Sequence, residues 1–334
     1  MLIGRAPLRI SFAGGGTDLP SFYAKYGGGV LSASIDVYNY CIFEKRKDKK
    51  IRIISSDYKR NEIFSNAGSI DGKRPLNLVK ETIRYFSPDY GFNVFIASEV
   101  PAGSGLGLSS SVVVNLVRVL SSLKSEKISK AKIAEIAAHI EIDVCRRPIG
   151  KQDQYAASFG GLNFITFGAK TSVKPVKASG KTLRRLEENL MLFFTERTLN
   201  SAKVLSRQSR LIKKDERNAI SSLIALKELA GRMKESVEKG NLDAFGELLH
   251  LSWEMKKKIT SGISSGHIDY FYKLARKNGV AGGKICGAGG RGFLLFYCPL
   301  KKQEKVRHAL TAGGLEELDF RFDFKGAQIM GEKE

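Results

Sequence analysis

A chain of 334 residues with 43% apolar side chains is long enough for two cores, and its composition excludes a disordered or fibrous protein. The net charge is +21, and no apolar run approaches the roughly 18–20 residues of a membrane-crossing helix. The start MLIGRAPLRISF lacks a leader pattern, and Cys41, Cys145, Cys286 and Cys298 form no CxxC pair. A cytoplasmic, reducing setting is therefore expected, with neither a disulfide framework nor a zinc site.

In chain order, LIGRAPLRISFA (2–13) reads as a strand entering a glycine turn. VYNYCIFEKR (37–46) and KKIRIISS (49–56) read as a hairpin-like pair, and RPLNLVKETIRYF (74–86) as a helix. FNVFIASEV (92–100) alternates like a half-buried strand, and VVVNLVRVL (112–120) repeats its apolar residues at helical spacing. Between them lies PAGSGLGLSSS, with Ser109, Ser110 and Ser111 at expected N-cap positions. A second helix is expected over 129–145 and a strand over 160–168, with Asp153 in a polar loop between them. Residues 200–240, 242–259 and 267–279 read as helices; GGKICGAGGRG then leads into the strand FLLFYCP. A helix over 301–313 and a strand LDFRFDF (318–324) follow. The polar, turn-rich stretch 168–182 marks a boundary, which divides the chain into domains 1–175 and 176–334. Strands and helices mix without βαβ alternation, so the expected class is α+β.

The positive charge is spread over KRKDKKIR (45–52), KTLRR (181–185), RLIKKDER (210–217) and MKKK (255–258), without interleaved aromatics. It reads as a solvated surface biased toward a small anionic substrate, with nucleic-acid binding as the competing reading. The strand–glycine loop–helix at 92–120 is more specific. A helix start carries unpaired N–H groups and partial positive charge, and glycines let backbone approach an anion, usually phosphate. Two familiar phosphate signatures fail. Gly180-Lys181-Thr182 has Pro175 where a Walker A loop needs glycine. Gly287, Gly289 and Gly292 spell GxGxxG but precede a strand, not a helix.

PAGSGLGLSS, RAPLR…GGGTD, GKQDQ and the late GAGGRG, in this order over residues 3 to about 297, resemble the motif set of the GHMP small-molecule kinases. A finer resemblance rests on FAGGGTDLPSFY, GKQDQYAASFGGLNF and LLHLSWEMKK…SGIS. It is to the kinases that phosphorylate the anomeric hydroxyl of D-glycero-D-manno-heptose 7-phosphate; a kinase for an unphosphorylated, fucose- or galactose-like sugar is the alternative. The resemblance implies an N-terminal domain like ribosomal protein S5 domain 2, a ferredoxin-like C-terminal domain and an active site between them. ATP would lie on Pro101, Gly103, Ser104, Gly105, Leu106, Gly107, Ser109 and Ser110, with Mg²⁺ on Ser109 and Glu141. Asp153 would face the substrate hydroxyl with Arg9 beside it. The sugar or sugar phosphate would lie against Gly15, Gly16, Thr17 and Asp18 and the late glycines Gly287 and Gly289. Asp153 as general base and Asp153 as mere orienter of the hydroxyl both remain open. No nucleic-acid or membrane partner is expected, and the protein is expected as a monomer or homodimer. Leu108 and Arg291 depart from the motif pattern. Arg291 reads as a solvent-facing turn residue or a phosphate contact, and Trp253 as core.

Overall fold

The computed structural model describes residues 1–124, 127–195 and 201–330. The elements, in order, are β1 (Leu2–Ala13), α1 (Pro20–Tyr26), β2 (Gly28–Lys45), β3 (Ile51–Ser55), β4 (Arg60–Phe64), α2 (Asn77–Phe86), β5 (Phe92–Ser98), α3 (Leu108–Leu123), α4 (Lys130–His139), α5 (Gln152–Phe159), β6 (Leu162–Phe167) and β7 (Ser172–Pro175). The second half holds α6 (Gly180–Glu188), β8 (Leu190–Phe194), α7 (Ser201–Lys213), α8 (Arg217–Glu238), α9 (Leu242–Lys257), α10 (Gly266–Lys277), β9 (Gly282–Ile285), β10 (Phe293–Tyr297), α11 (Leu300–Thr311), β11 (Glu316–Glu317) and β12 (Gln328–Met330). The mixture is α+β, as expected. No helix among the described residues is long and apolar enough to cross a membrane.

Two sheets organise these elements. The larger runs β12-β1-β2-β5-β3-β4, with β6 also on β2 and β7 on β6. The smaller is antiparallel, in the order β11-β8-β10-β9. Strand β2 is the spine of the first: its early residues pair with β6 and its later ones with β5, while β1 runs alongside both. The expected hairpin of 37–46 with 49–56 does not form, because β5 lies between β2 and β3 and pairs parallel with β3. Nor is 318–324 a strand; only Phe322 makes a bridge, to Ile35. The chain instead returns at β12, where Ile3 faces Met330.

Helix α3 lies against β1. Its Asn115 amide donates to the Gly4 and Asn39 carbonyls, and its Ser111 hydroxyl donates to the Pro7 carbonyl. Leu8, Ile10 and Phe12 of β1 share one core with Leu229, Phe245, Phe293 and Leu295 of the second half. Phe12 and Phe245 meet edge to face with ring centroids 5.2 Å apart. This common core fixes the relation between the two sheets and so the cleft between them. Trp253 is fully buried, as its reading as core requires. All four cysteines are free.

Candidate active site

A cleft of about 570 Å³ opens between the two halves. One wall is the 102–112 segment, a second is Cys145–Asp153, and a third comes from the other half through Gln208, Lys256 and Gly287. Its far end is bounded by Ser55, Asp57, Tyr58 and Arg74–Val79.

The glycine loop is built to be close to other backbone. Gly103, Gly105 and Gly107 all have positive φ, and a Cβ on Gly105 would stand 2.7 Å from the Cys286 carbonyl oxygen. A Cβ on Gly292 would likewise meet the Ser104 carbonyl, to which Phe293 N–H donates. The early and late glycine motifs thus interlock, one against the other. Helix α3 begins at Leu108 with Gly107 as its N-cap, and no side chain caps it. This corrects the N-cap expectation for Ser109–Ser111: the serines fall inside the first turns. Ser111 is spent on β1, while Ser109 and Ser110 line the cleft. The first-turn N–H groups are left without a capping side chain at the cleft, the arrangement that binds an anion.

Arg9 joins three of the expected site elements. Its Nε and Nη2 donate to the two Asp153 oxygens at 2.7 and 2.8 Å. Its Nη1 donates to the Gly105 carbonyl at 2.7 Å, and its backbone N–H to the Leu106 carbonyl. Asp153 itself lies in the first turn of α5, not in a loop, so the helix fixes its direction. Gly107 permits the approach, since a Cβ there would sit 3.2 Å from Asp153 Oδ2.

Glu141 is fully buried, in a one-turn π-helical segment at 140–144 that continues α4. Gln154 donates to its Oε1 at 2.7 Å and Arg147 to its Oε2 at 2.8 Å. Burial holds the Glu141 carboxyl above its usual range, and the Arg147 charge works the other way. The same Arg147 Nη1 also donates to Ser109 Oγ. Two oxygens from separate elements therefore converge on one cation. Such hard donors suit Mg²⁺, which takes one or two carboxylates and completes its shell with phosphate and water, so the residues fit the ion. No cluster of three acidic, histidine or cysteine ligands exists among the described residues.

The GGGTD turn, expected to meet the sugar, also contributes to the cleft. Asp18 accepts from the Gly16 and Gln152 N–H groups at 2.9 and 3.2 Å. Burial, with the Asp153 charge adding to it, raises its carboxyl above the ordinary range. Gly16 and Asp18 line the cleft. Thr17 is fully buried, its hydroxyl exchanging hydrogen bonds with the Gly29 backbone, so it pins the turn to β2. Pro101 and Leu106 are not among the cleft-lining residues, Leu106 being fully buried, and Gly289 packs against Ile263; Gly287 reaches the wall. Arg291 is exposed.

Two buried lysines had no sequence signal. Lys256 of α9 lines the cleft, donates to the Gly287 carbonyl at 3.0 Å, and is lowered to about 8 by burial. Lys284 of β9 donates to the Ser11 carbonyl and is lowered to about 7, by burial and then by Lys256. Both sit in runs that read as an amphipathic helix or a glycine strand, where a lysine is expected to face water.

The N-terminal domain of the GHMP kinases matches residues 77–161, and their C-terminal domain matches 233–314. The D-glycero-alpha-D-manno-heptose 7-phosphate kinase of Campylobacter jejuni is 33% identical over 335 residues, covering 97% of each chain. The crystal structure of a D-glycero-D-manno-heptose 1-phosphate kinase from Bacteroides thetaiotaomicron superposes with a TM-score of 0.81 at 27% identity, covering all of both chains. Lactococcus lactis galactokinase, solved with galactose, shares the fold with a TM-score of 0.78 at 21% identity over 98% of this chain and 94% of that one. The chain belongs to the GHMP kinase family. It is an ATP-dependent phosphotransferase that acts on a sugar hydroxyl.

Proposed function

We propose that this enzyme phosphorylates the anomeric O1 of D-glycero-D-manno-heptose 7-phosphate, giving the 1,7-bisphosphate. The observation that carries the reading is the Arg9–Asp153 pair, held against the glycine loop on one side and open to the cleft on the other. The similarity to the C. jejuni heptose 7-phosphate kinase supports the choice of sugar.

In this reading the triphosphate lies along 103–110, over the first turn of α3. The base occupies the far end, between Tyr58 and the Arg74–Val79 segment. Ser109 and Glu141, which share Arg147 here, would hold Mg²⁺, and the ion would supply neutralisation of phosphate charge beside the loop N–H groups. The sugar lies against Gly16 and Asp18. Its O1 attacks the γ-phosphorus as the bond to the bridging oxygen of ADP breaks, and the O1 proton passes to Asp153. Arg9 fixes both Asp153 oxygens, so the carboxylate has one direction in which to receive the hydroxyl. Such a transfer is loose, with charge on the phosphoryl oxygens, so alignment and nearby cations matter most.

We also divide the chain functionally at 175/176, between β7 of the larger sheet and β8 of the smaller, and place the enzyme in the cytoplasm, which suits its four free thiols. Incubation with ATP, Mg²⁺ and separate sugars, read by ADP release, tests the assignment. Turnover of heptose 7-phosphate in preference to heptose, fucose and galactose is expected. Preference for an unphosphorylated sugar overturns it.

A further inference from the structure

The turn at Gly15–Gly16 is surrounded by buried polar groups, several of which have no hydrogen-bond partner among the described residues. A Cβ on Gly15 would stand 3.4 Å from Lys256 Nζ, 3.6 Å from Ser11 Oγ and 3.7 Å from Gln152 Nε2. A Cβ on Gly16 would stand 2.1 Å from Gln208 Nε2, so only glycine lets that amide come so near. Gln208, on α7, is 1% exposed, and it lines the cleft. Its amide nitrogen meets no acceptor among the described residues, and Gln152 Oε1 and Ser11 Oγ are also unpaired there. Buried donors left without an acceptor are rare in folded proteins, and each calls for an explanation. Next to Gly16 also stands Asp18, whose Oδ1 already takes the Gly16 N–H at 2.9 Å. Around one glycine the cleft therefore presents a carboxylate, which only accepts, and an amide, which donates. Adjacent sugar hydroxyls are complementary to that pair: one donates to Asp18 and the other accepts from Gln208.

We propose that Gln208 is a specificity-determining residue of the acceptor site, its amide donating to a sugar hydroxyl next to the one that Asp18 receives. This rests on the sugar-kinase reading of the cleft. A site built to hydrogen-bond a hydroxyl rejects an analogue lacking it, because its own polar group is then left unpaired.

The test compares wild type with Gln208→Leu, which keeps the volume and removes the donor, and Gln208→Asn, which withdraws the amide by one carbon. Steady-state kinetics are measured with heptose 7-phosphate and its singly deoxygenated analogues, and affinity for a non-hydrolysable ATP analogue by calorimetry. Gln208→Leu is expected to raise the sugar KM about tenfold, one neutral hydrogen bond at its upper range, with nucleotide affinity within about twofold. One deoxy analogue, disfavoured by wild type, is expected to be handled by Gln208→Leu as well as the parent sugar. Gln208→Asn should fall between them, and it carries the test if the leucine variant does not fold. An unchanged sugar KM, or a loss spread equally over every analogue and the nucleotide, overturns the proposal. If wild type turns over a different sugar instead, the heptose assignment fails, and the same comparison with that sugar and its deoxy analogues still decides the role of Gln208.

Discussion

Arg9 and Asp153, 144 residues apart, face each other through two parallel hydrogen bonds of 2.7 and 2.8 Å, one from Nε and one from Nη2. The remaining Nη1 grips the Gly105 carbonyl, so one guanidinium sets both the position of the acidic group and the shape of the glycine loop. Replacing Asp153 with Asn turns an amide N–H toward a guanidinium and removes the proposed proton acceptor. The expected outcome is a loss of kcat of about 10²–10⁴, typical of a removed acid–base group. Calorimetry should show ATP-analogue affinity within a few fold of wild type; full turnover refutes the role.

Arg147 is the only cation bonded to the buried Glu141 among the described residues. Arg147→Gln leaves that carboxylate without its charge partner, at a cost of about 3 kcal/mol, the lower end for a broken buried pair because Arg147 itself is part exposed. Mg²⁺ should recover part of the loss. In thermal melts the variant is therefore expected to gain more from millimolar Mg²⁺ than wild type does. Glu141→Gln should abolish that gain and raise the Mg²⁺ needed for half-maximal rate. An equal response of wild type and Arg147→Gln to the ion speaks against a shared seat.

At Gly105 the backbone is left-handed, with φ +85°, and a Cβ would press on the Cys286 carbonyl. Gly105→Val combines that strain, about 1–2 kcal/mol, with a forced separation of the two glycine motifs. Weaker nucleotide binding and a lower melting temperature are expected together. A variant that binds ATP analogue as wild type does shows that the two motifs need not touch.

Lys256 is lowered to about 8 by burial, so its charge is lost within the working range of most assays. A cation in the cleft favours the phosphoryl oxygens, and kcat/KM is expected to fall as pH rises through about 8. Lys256→Arg should carry activity further into alkaline conditions, because a guanidinium keeps its proton. An alkaline limb that is the same in both proteins removes Lys256 from that role.

Lys284 affects stability with a defined sign. Its pKa is lowered to about 7 in the folded chain from an ordinary 10.5. Between those values the unfolded chain holds a proton that the folded chain has given up, so this residue makes stability rise with pH. Lys284→Met removes the dependence. Urea midpoints at pH 7 and 9.5 should show the stability of wild type rising relative to the variant. A constant difference between the two contradicts a neutral buried amine.

The strand–loop–helix around 101–111 was legible because glycine spacing and apolar period state it locally, and β1 and β10 were legible for the same reason. The partners of β2 were not. GGVLSASI (28–35) carries too many glycines and serines to mark itself as a strand, yet it pairs with β1 and β6, since a central strand needs neighbours more than β-branched residues. The pairing of β3 with β5 is a long-range choice that no local pattern reports. Asp153 was visible only through its motif, as the helix holding it spans eight residues between glycines. Gln208 and Lys256 are polar residues on helices, where the default place is water; only their burial beside the glycine turn sets them apart. Arg147 reads as one of two adjacent arginines before a proline, and nothing in that dipeptide says which one turns inward.

The return of the chain at β12 has a consequence for any attempt to separate the halves. Pairing of Gln328–Met330 with Arg5–Ile3 covers the outer rim of β1 with residues from more than 320 positions further along the sequence. A fragment ending at residue 175 would keep seven strands but leave that rim bare, its N–H and C=O groups free to recruit another chain. Such a truncation is expected to precipitate or self-associate, and supplying the missing tripeptide strand through a short tether after residue 175 should restore solubility before any catalytic part is added back.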